Sequence, residues 1–475
     1  MKVFTRKRII LGFIVILCAA TVYVGYQKRE YIQLLRVGSA FKAKTLCAAV
    51  FVSGREPGVV EQEDMGFNAL FRLFKAKIDR NEKSVTCSLL GIGLFEKKAI
   101  HVDKLGAVLL SGVPEESIRQ WRPVMPDPEP ADFKAIPWPM GDRMPDGPPS
   151  VNIDMAKLKP SVDKLFIEAD PKKKLNTRAL LIVYDGRLIV ERYGSGISQE
   201  TPLLSWSMAK SVTNAIIGIL VRKDKISLRA PAPVPEWRRA DDPRHAITID
   251  QLLRMSSGLE WFEAYAERPV SDVNVMLFLK PDMGAYAASK FLSLQPDTVW
   301  SYSSGTTNII CRIIRDVLGS REEYWAFPRR ELFNKIGMRS AVWGTDASGS
   351  LIGSSYLYAT ARDYARFGLL FLNDGVWQGQ RILPEGWVVY TTTPAPAAPK
   401  GQYGAHFWLN RGKTSDPAGR KYPQLPPDTF FATGYQGQTI AIIPSYKLVI
   451  VRLGMTYDDN WGMETFIKSV LSAIQ

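Results

Sequence analysis

Apolar runs in the C-terminal part of the chain have the length and flanking turn residues of β-hairpins. Residues 179–184 and 187–192 flank Asp185-Gly186, a dipeptide that favours a tight hairpin turn. Residues 439–443 and 448–451 form a second pair around a short turn. Because helical segments separate the two hairpins, the pattern predicts an α+β fold, an antiparallel sheet packed by helices.

Between the two hairpins, most apolar residues recur at the spacing of an α-helix. Ala209, Val212, Ile216 and Ile219 predict an amphipathic helix that begins near Ser207. A capping box of Thr248 and Gln251 predicts a short helix that ends before Gly258. Further helices are predicted over residues 307–317, 360–372 and 461–474.

The first third of the chain differs in pattern. Short apolar runs at 46–52, 84–90 and 107–110 resemble strands and predict a small β-rich module over 43–120, with a structural or docking role. Nine prolines between 123 and 149 predict a semi-extended linker or a strap over the next domain. The predicted organisation is therefore an anchor at 1–30, a module at 43–120, a linker at 121–150 and a main domain at 151–475.

The N-terminus resembles a membrane-targeting segment. Four basic residues precede an uncharged apolar run of eighteen residues, Ile9 to Tyr26, which is long enough to cross a bilayer. A signal peptide cut after Ala20 would show a similar pattern, but the apolar run continues past that residue. We therefore expect a single N-terminal membrane helix with the main domain on the periplasmic or extracytoplasmic side; cleavage would give a secreted protein.

The net charge indicates which partners the protein could bind, and the cysteines indicate whether a disulfide could form after export. The net charge is +14, but the basic residues are scattered and no nucleic-acid motif accompanies them, so we expect no nucleic-acid partner. A basic surface beside an anionic membrane fits this charge better. Cys47 and Cys87 form a possible disulfide after export, the alternative being two unpaired buried thiols, whereas Cys311 has the surroundings of a core residue. The oligomeric state is left open.

Candidate catalytic chemistry starts at Ser207 and Lys210, which are three residues apart and share a helix face. A serine hydroxyl becomes nucleophilic when a neighbouring base takes its proton, and a desolvated lysine can act as that base. The helix N-terminus adds N–H groups that suit an oxyanion. A second Ser-x-x-Lys, Ser161 to Lys164, is interpreted as incidental.

Two later stretches carry further candidate residues. Tyr302 lies just before a predicted helix and could pass protons to a leaving group, and Ser304 could bind the lysine or the substrate. Thr433, Gly434 and Tyr435 precede the second hairpin, where a substrate could lie along the strand and a backbone N–H near Tyr435 could bind an oxyanion.

In this order the motifs resemble the serine β-lactamase and penicillin-binding superfamily, above all the class C β-lactamases, related esterases and aminohexanoate-oligomer hydrolases. The resemblance rests on Ser207-Met208-Ala209-Lys210, Tyr302-Ser303-Ser304 and Ala432-Thr433-Gly434, and it extends from about residue 150 to the end. It implies a β-lactamase/transpeptidase-like fold with a helical subdomain and an acyl-enzyme on Ser207. Whether Lys210 or Tyr302 is the base is left open.

Two positions depart from the family pattern. Ser304 stands where asparagine is frequent, and Ala432 stands where the family usually has a cation. Without that cation we expect a preference for neutral esters or amides and poor hydrolysis of β-lactams, unless Arg411 or Lys413 compensates.

Other chemistries fit less well. The chain has three histidines, and the surroundings of His245 and His406 indicate structural roles, so a Ser-His-Asp triad is a poor alternative. No spacing suggests a metal site, and no cofactor is expected. The prediction is a serine hydrolase acting on a small-molecule or peptide-like ester or amide. The alternative is a catalytically silent penicillin-binding-like protein that recognises a cell-wall peptide or a partner.

Overall fold

The computed structural model describes residues 29–127, 132–144, 153–265, 270–414 and 416–474. The α-helices in these ranges are α1 Arg29–Phe51, α2 Pro57–Glu63, α3 Glu115–Arg119, α4 Met155–Lys164, α5 Met208–Arg222, α6 Ile249–Leu253, α7 Asp272–Leu279, α8 Met283–Ala288, α9 Ser304–Leu318, α10 Arg321–Pro328, α11 Ala361–Leu372, α12 Trp387–Thr392 and α13 Met463–Ala473. The strands are β1 Phe74–Asp79, β2 Ser84–Leu89, β3 Leu94–Val102, β4 Gly106–Leu109, β5 Thr177–Tyr184, β6 Arg187–Tyr193, β7 Leu203–Leu204, β8 Val342–Trp343, β9 Leu357–Ala359, β10 Val376–Trp377, β11 Gln380–Arg381, β12 Trp408–Leu409, β13 Phe430–Gly434, β14 Gln438–Ile443 and β15 Leu448–Gly454.

The central sheet has the strand order β12-β13-β14-β15-β5-β6, with every neighbouring pair antiparallel. Both predicted hairpins are confirmed as β5–β6 and β14–β15. Asp185 and Gly186 have φ values of 44° and 76°, the left-handed conformations that a tight hairpin turn requires. Pairing of β15 with β5 joins the two hairpins into one sheet.

Helices cover both faces of this sheet, because side chains along each strand alternate between two hydrophobic clusters. On β5, Leu181 and Val183 belong to the cluster that contains residues of α5 and α11. Leu180 and Ile182 belong to the opposite cluster, which contains residues of α4 and α13. The predicted α+β class is confirmed.

The N-terminal module contains a helix where a strand was expected. Residues 46–52 resembled a strand, but nearly all of them belong to α1, so that prediction is wrong. The helix packs against β2, β3 and β4 on one side and α7 on another, which buries most of Val37 to Val50. Burial on several sides removes the polar stripe that marks an amphipathic helix, and a short apolar run then cannot be told from a strand.

The predicted Cys47–Cys87 disulfide is wrong for this structure, since both thiols are free and buried. Cys47 lies on α1 and Cys87 on β2, and both pack as small apolar groups in the same cluster. Burial raises the pKa of each thiol to about 12. Cys311 is also a buried free thiol, as expected.

Part of the Pro-rich stretch, residues 132–144, lies as a strap over the main sheet and α11. The indole N–H of Trp138 donates to the Gly186 carbonyl at 3.0 Å, and Arg366 of α11 donates to the Pro139 and Gly141 carbonyls at 2.6 and 2.7 Å. The predicted boundaries between the four segments stay predictions.

The described ranges contain no helix with the length and apolar character needed to span a bilayer. The predicted anchor, Ile9 to Tyr26, lies outside those ranges.

Candidate active site

Ser207 lies at the first turn of α5, directly after a sharp bend that follows β7. Trp206 has a φ of 45°, a left-handed conformation that is costly for a residue with a side chain. Its buried indole packs against the rings of Tyr356 and Tyr435, with centroids 5.8 and 5.7 Å away, and these contacts hold the bend. The Ser207 hydroxyl does not cap the helix and is therefore available to the adjacent cavity, which Ser207 lines.

Lys210 lies one helical turn after Ser207, and its side chain is buried. Its ammonium nitrogen lies 2.9 Å from Ser207 Oγ, 3.0 Å from Ser304 Oγ and 3.1 Å from the Ser354 carbonyl oxygen. Desolvation lowers the Lys210 pKa to about 8, although the negative charge of Glu263 acts in the opposite direction. About a tenth of the lysine is therefore neutral at pH 7, and this neutral amine has two N–H groups for Ser304 and Ser354 and a lone pair toward Ser207.

Glu263 is a site residue that the sequence analysis missed. Its carboxylate accepts hydrogen bonds from Ser304 Oγ and Ser304 N at 2.6 and 2.9 Å, from Tyr265 OH at 2.9 Å and from the Trp261 indole at 2.6 Å. Ser304 thus links Lys210 to a fixed negative charge. The signal in the sequence was the alternation of Trp261, Glu263 and Tyr265, in which two polar-tipped aromatic residues flank an acid.

Tyr302 lies beside the same lysine. The Lys210 ammonium is 4.8 Å from the centre of the Tyr302 ring, which stacks on Trp408 with centroids 5.4 Å apart. Desolvation and the charge of Glu263 raise the Tyr302 pKa, while a hydrogen bond with Ser207 lowers it; the net direction is upward. The phenol is therefore protonated at neutral pH.

The residues at the end of β13 form one wall of the site. Thr433, Gly434 and Tyr435 line the cavity that Ser207 also lines. A Cβ atom at Gly434 would lie 2.2 Å from the Ser205 carbonyl oxygen, so glycine is needed for β13 to approach the bend before Ser207. The structure thus brings all seven predicted site residues to one place. Ala432 does not line the cavity and is buried in the core.

The cavity has a volume of about 980 Å³ and extends from Ser207 to residues 457–465. Among the described residues that line it, Lys421 is the single basic one; Arg411 and Lys413 are not in its wall. Lys421 is partly open to solvent, but its ammonium lies 4.9 Å from the Trp408 ring and 5.4 Å from the Tyr422 ring. Desolvation lowers the Lys421 pKa. The carboxylates of Asp458, Asp459 and Glu464 lie along the same cavity.

His406, which lies beside Lys210, has a structural role. Both ring nitrogens of the buried His406 have partners, the Lys210 carbonyl oxygen at 3.0 Å and Thr307 Oγ1 at 3.2 Å. Burial lowers its pKa to about 3, so the ring stays neutral. His245 contacts the Trp237 carbonyl oxygen at 2.9 Å. Within the described part of the chain, no group of His, Cys, Asp and Glu side chains has an arrangement that could hold a metal ion.

Known proteins are similar to this chain in sequence. A family model named Beta-lactamase matches residues 162–461. The 6-aminohexanoate-dimer hydrolase of Paenarthrobacter ureafaciens is 24% identical over 304 residues, which cover 60% of this chain and 74% of that protein.

Solved structures of two proteins also resemble this chain. A candidate 6-aminohexanoate-dimer hydrolase from Bacillus anthracis is 25% identical, with a TM-score of 0.54 over 70% of this chain and 85% of its own. A family VIII carboxylesterase, 16% identical with a TM-score of 0.50, covers 67% of this chain and 97% of its own, and it shows the shared fold. These matches confirm the predicted superfamily and the β-lactamase/transpeptidase-like fold.

Proposed function

The chain belongs to the β-lactamase family, and from this premise we propose that it is a serine hydrolase that cleaves ester or amide bonds through an acyl-enzyme on Ser207. The observation that carries the proposal is the 2.9 Å contact between Ser207 Oγ and the nitrogen of a buried lysine whose pKa is lowered to about 8. A fluorophosphonate probe, which modifies activated serines, tests it. We expect one label per chain, on Ser207, and a chain that takes up no label would contradict the proposal.

Opposite pKa shifts of the two neighbouring groups support a division of roles. Lys210, whose pKa is lowered, is the base: its neutral amine takes the Ser207 proton as Oγ attacks the substrate carbonyl carbon. Tyr302, whose pKa is raised, holds its proton and donates it to the departing oxygen or nitrogen as the C–O or C–N bond breaks. The lysine returns a proton to the phenol, and water then hydrolyses the acyl ester and frees Ser207.

Backbone groups at the same wall stabilise the oxyanion in this proposal. Ser207 N–H lies at the first turn of α5, a 15-residue helix whose N-terminal end carries partial positive charge. Tyr435 follows Gly434 at the end of β13 and lines the same cavity. We propose the N–H groups of Ser207 and Tyr435 as the two donors.

The lysine base predicts a specific pH dependence. Because only the neutral amine accepts the Ser207 proton, kcat/KM should rise as the pH increases through about 8. Glu263→Gln removes the charge that raises the Lys210 pKa, so the midpoint should move to lower pH by about one unit. Tyr265→Phe is the control, since it removes a hydrogen bond to Glu263 and keeps the charge. A Glu263→Gln profile that is unmoved, or moved to higher pH, would contradict this assignment.

The substrate preference is predicted from the charges of the cavity wall, in which Lys421 is the single basic residue among several carboxylates of the described chain. A neutral short-chain p-nitrophenyl ester should have a kcat/KM roughly ten- to a hundredfold above that of the anionic β-lactam nitrocefin, since a charge-assisted contact is lost. Lys421→Met tests whether the cavity lysine supplies the remaining attraction: it should lower the nitrocefin value further and leave the neutral ester unchanged. Nitrocefin hydrolysis more efficient than ester hydrolysis would overturn this preference.

We also propose that Ile9 to Tyr26 anchors the chain in a membrane and that the hydrolase domain lies on the extracytoplasmic side. The support is in the sequence: basic residues before the apolar run favour retention of that end in the cytoplasm.

A further inference from the structure

Exposed apolar side chains gather at one end of the β1–β4 sheet. Five of them, between 43% and 67% exposed, define what we call the apolar tip: Leu70, Leu73, Leu90, Ile92 and Leu94. Single exposed apolar residues are common, but a contiguous group is typical of an interaction surface.

Backbone contacts show that the tip is one surface. Leu90 N–H donates to the Leu73 carbonyl oxygen at 2.8 Å, which joins the turn after β2 to the residue before β1. Leu89 pairs with Leu94 in the register of β2 and β3, so Ile92 lies in the loop between them. Leu70 and Leu73 belong to one short 3₁₀ helix, Ala69–Leu73.

The first turns of α1 lie at the same end of the sheet. Phe51, at the C-terminal end of α1, contacts His101 near the end of β3, with ring centroids 6.0 Å apart. Desolvation and the charge of the nearby Arg36 lower the pKa of Lys97, which lies earlier on β3. The helix therefore approaches the Leu94 end of β3 as it nears Arg29, and Tyr31, there, is 67% exposed.

Basic side chains surround the tip. Arg29, Arg36, Arg72 and Lys75 are exposed, and none of them forms an ion pair with another residue of the described ranges. Unpaired guanidinium and ammonium groups around an apolar surface match the layered chemistry of a bilayer, in which anionic headgroups surround acyl chains.

The sequence before α1 specifies the occupant. The eighteen-residue apolar run ends at Tyr26, three residues before Arg29, the first residue of the described part of α1. Because so short a connection keeps the start of α1 beside the membrane in which that run is anchored, we propose that the apolar tip docks on the lipid surface. The docking rests on the proposed anchor and is independent of the hydrolase chemistry.

Docking would hold the hydrolase domain in a fixed orientation, because the tip is connected to the wall of the catalytic cavity. The Phe71 ring lies 5.6 Å from the Phe67 ring, and Phe67 lies 6.3 Å from Tyr457, which lines the cavity.

A depth-dependent fluorescence measurement tests the proposal. The full chain with Cys18→Ser and Ile92→Cys is labelled with the environment-sensitive fluorophore NBD and incorporated into vesicles of phosphatidylethanolamine and phosphatidylglycerol. Cys47, Cys87 and Cys311 are buried with pKa values raised to about 12, so labelling at neutral pH spares them. Lipids brominated on their acyl chains should quench the probe at position 92 on the order of twofold or more.

The control is Phe291→Cys, at an exposed apolar residue just after α8 (77% exposed), where we expect no quenching. Adding Leu90→Asp to the Ile92→Cys chain should reduce the quenching. A chain that floats with the vesicles while position 92 is quenched no more than position 291 would overturn the docking and leave the anchor in place. A chain that does not float would overturn the docking together with the anchor, and neither result would bear on the hydrolase activity.

Discussion

Replacing Ser207 with alanine should abolish turnover of ester and amide substrates and all fluorophosphonate labelling. The variant has no oxygen to attack the carbonyl carbon, and removal of a catalytic nucleophile costs roughly ten thousand- to a million-fold in kcat. The fold should be unaffected, because the Ser207 hydroxyl does not cap α5 and the residue lies at the cavity wall. Lys210→Ala should cause a loss of similar size, since a nucleophile and its base act as a unit.

The second Ser-x-x-Lys of the chain provides a matched control. Ser161 and Lys164 have the same spacing, but they lie on α4, which packs on the other face of the sheet, and neither lines the catalytic cavity. Ser161→Ala and Lys164→Ala should therefore leave turnover and labelling unchanged. Circular dichroism and thermal unfolding of all four variants would separate loss of chemistry from loss of fold. Activity retained in folded Ser207→Ala protein would refute the proposed function.

Tyr302→Phe should lower kcat by about a hundred- to ten-thousand-fold, the range found for groups that transfer protons in the rate-limiting step. Phenylalanine keeps the ring that stacks on Trp408 and lies beside the Lys210 ammonium, and it removes the hydroxyl alone. Since Ser207 and Lys210 remain, fluorophosphonate labelling should become slower but still be detectable. The measurement is kcat for an ester whose leaving group needs protonation, compared with a p-nitrophenyl ester whose leaving group does not.

Tyr403→Phe is the control for this prediction. Tyr403 packs edge-on against Tyr302 with ring centroids 5.9 Å apart, and it does not line the cavity. It should keep kcat within a few-fold of the original value. The same small effect in Tyr302→Phe would show that Tyr302 shapes the site without transferring protons.

Much of the catalytic geometry follows from local sequence. Three residues of helical spacing suffice to place Lys210 beside Ser207, and the capping box at Thr248 forms as predicted. The two hairpins were predictable because Asp185-Gly186 and the 444–447 turn interrupt strongly apolar runs. The order of the motifs along the chain then indicated that residues 433–435, directly before the second hairpin, contribute the wall that faces Ser207.

The remaining features depend on contacts between segments far apart in sequence. Glu263 reaches the lysine through Ser304, 41 residues later, and no local spacing encodes that link. Lys421 enters the cavity wall from a loop before β13 because its side chain lies over Trp408. In α1, burial on several sides removed the polar face by which the helix could be identified in the sequence. The free thiols of Cys47 and Cys87 reflect core packing that composition alone does not determine.

Mass spectrometry of the reaction intermediate tests most directly whether catalysis passes through an acyl group on Ser207. The full chain is mixed with a p-nitrophenyl ester, quenched in acid during the steady state and digested with trypsin. The peptide of residues 193–210 contains Ser195, Ser198, Ser205 and Ser207, which fragmentation can distinguish. We expect the substrate's acyl group on Ser207 in this peptide. Turnover with the acyl group on another residue, or with Ser207 unmodified throughout the reaction, would contradict this expectation.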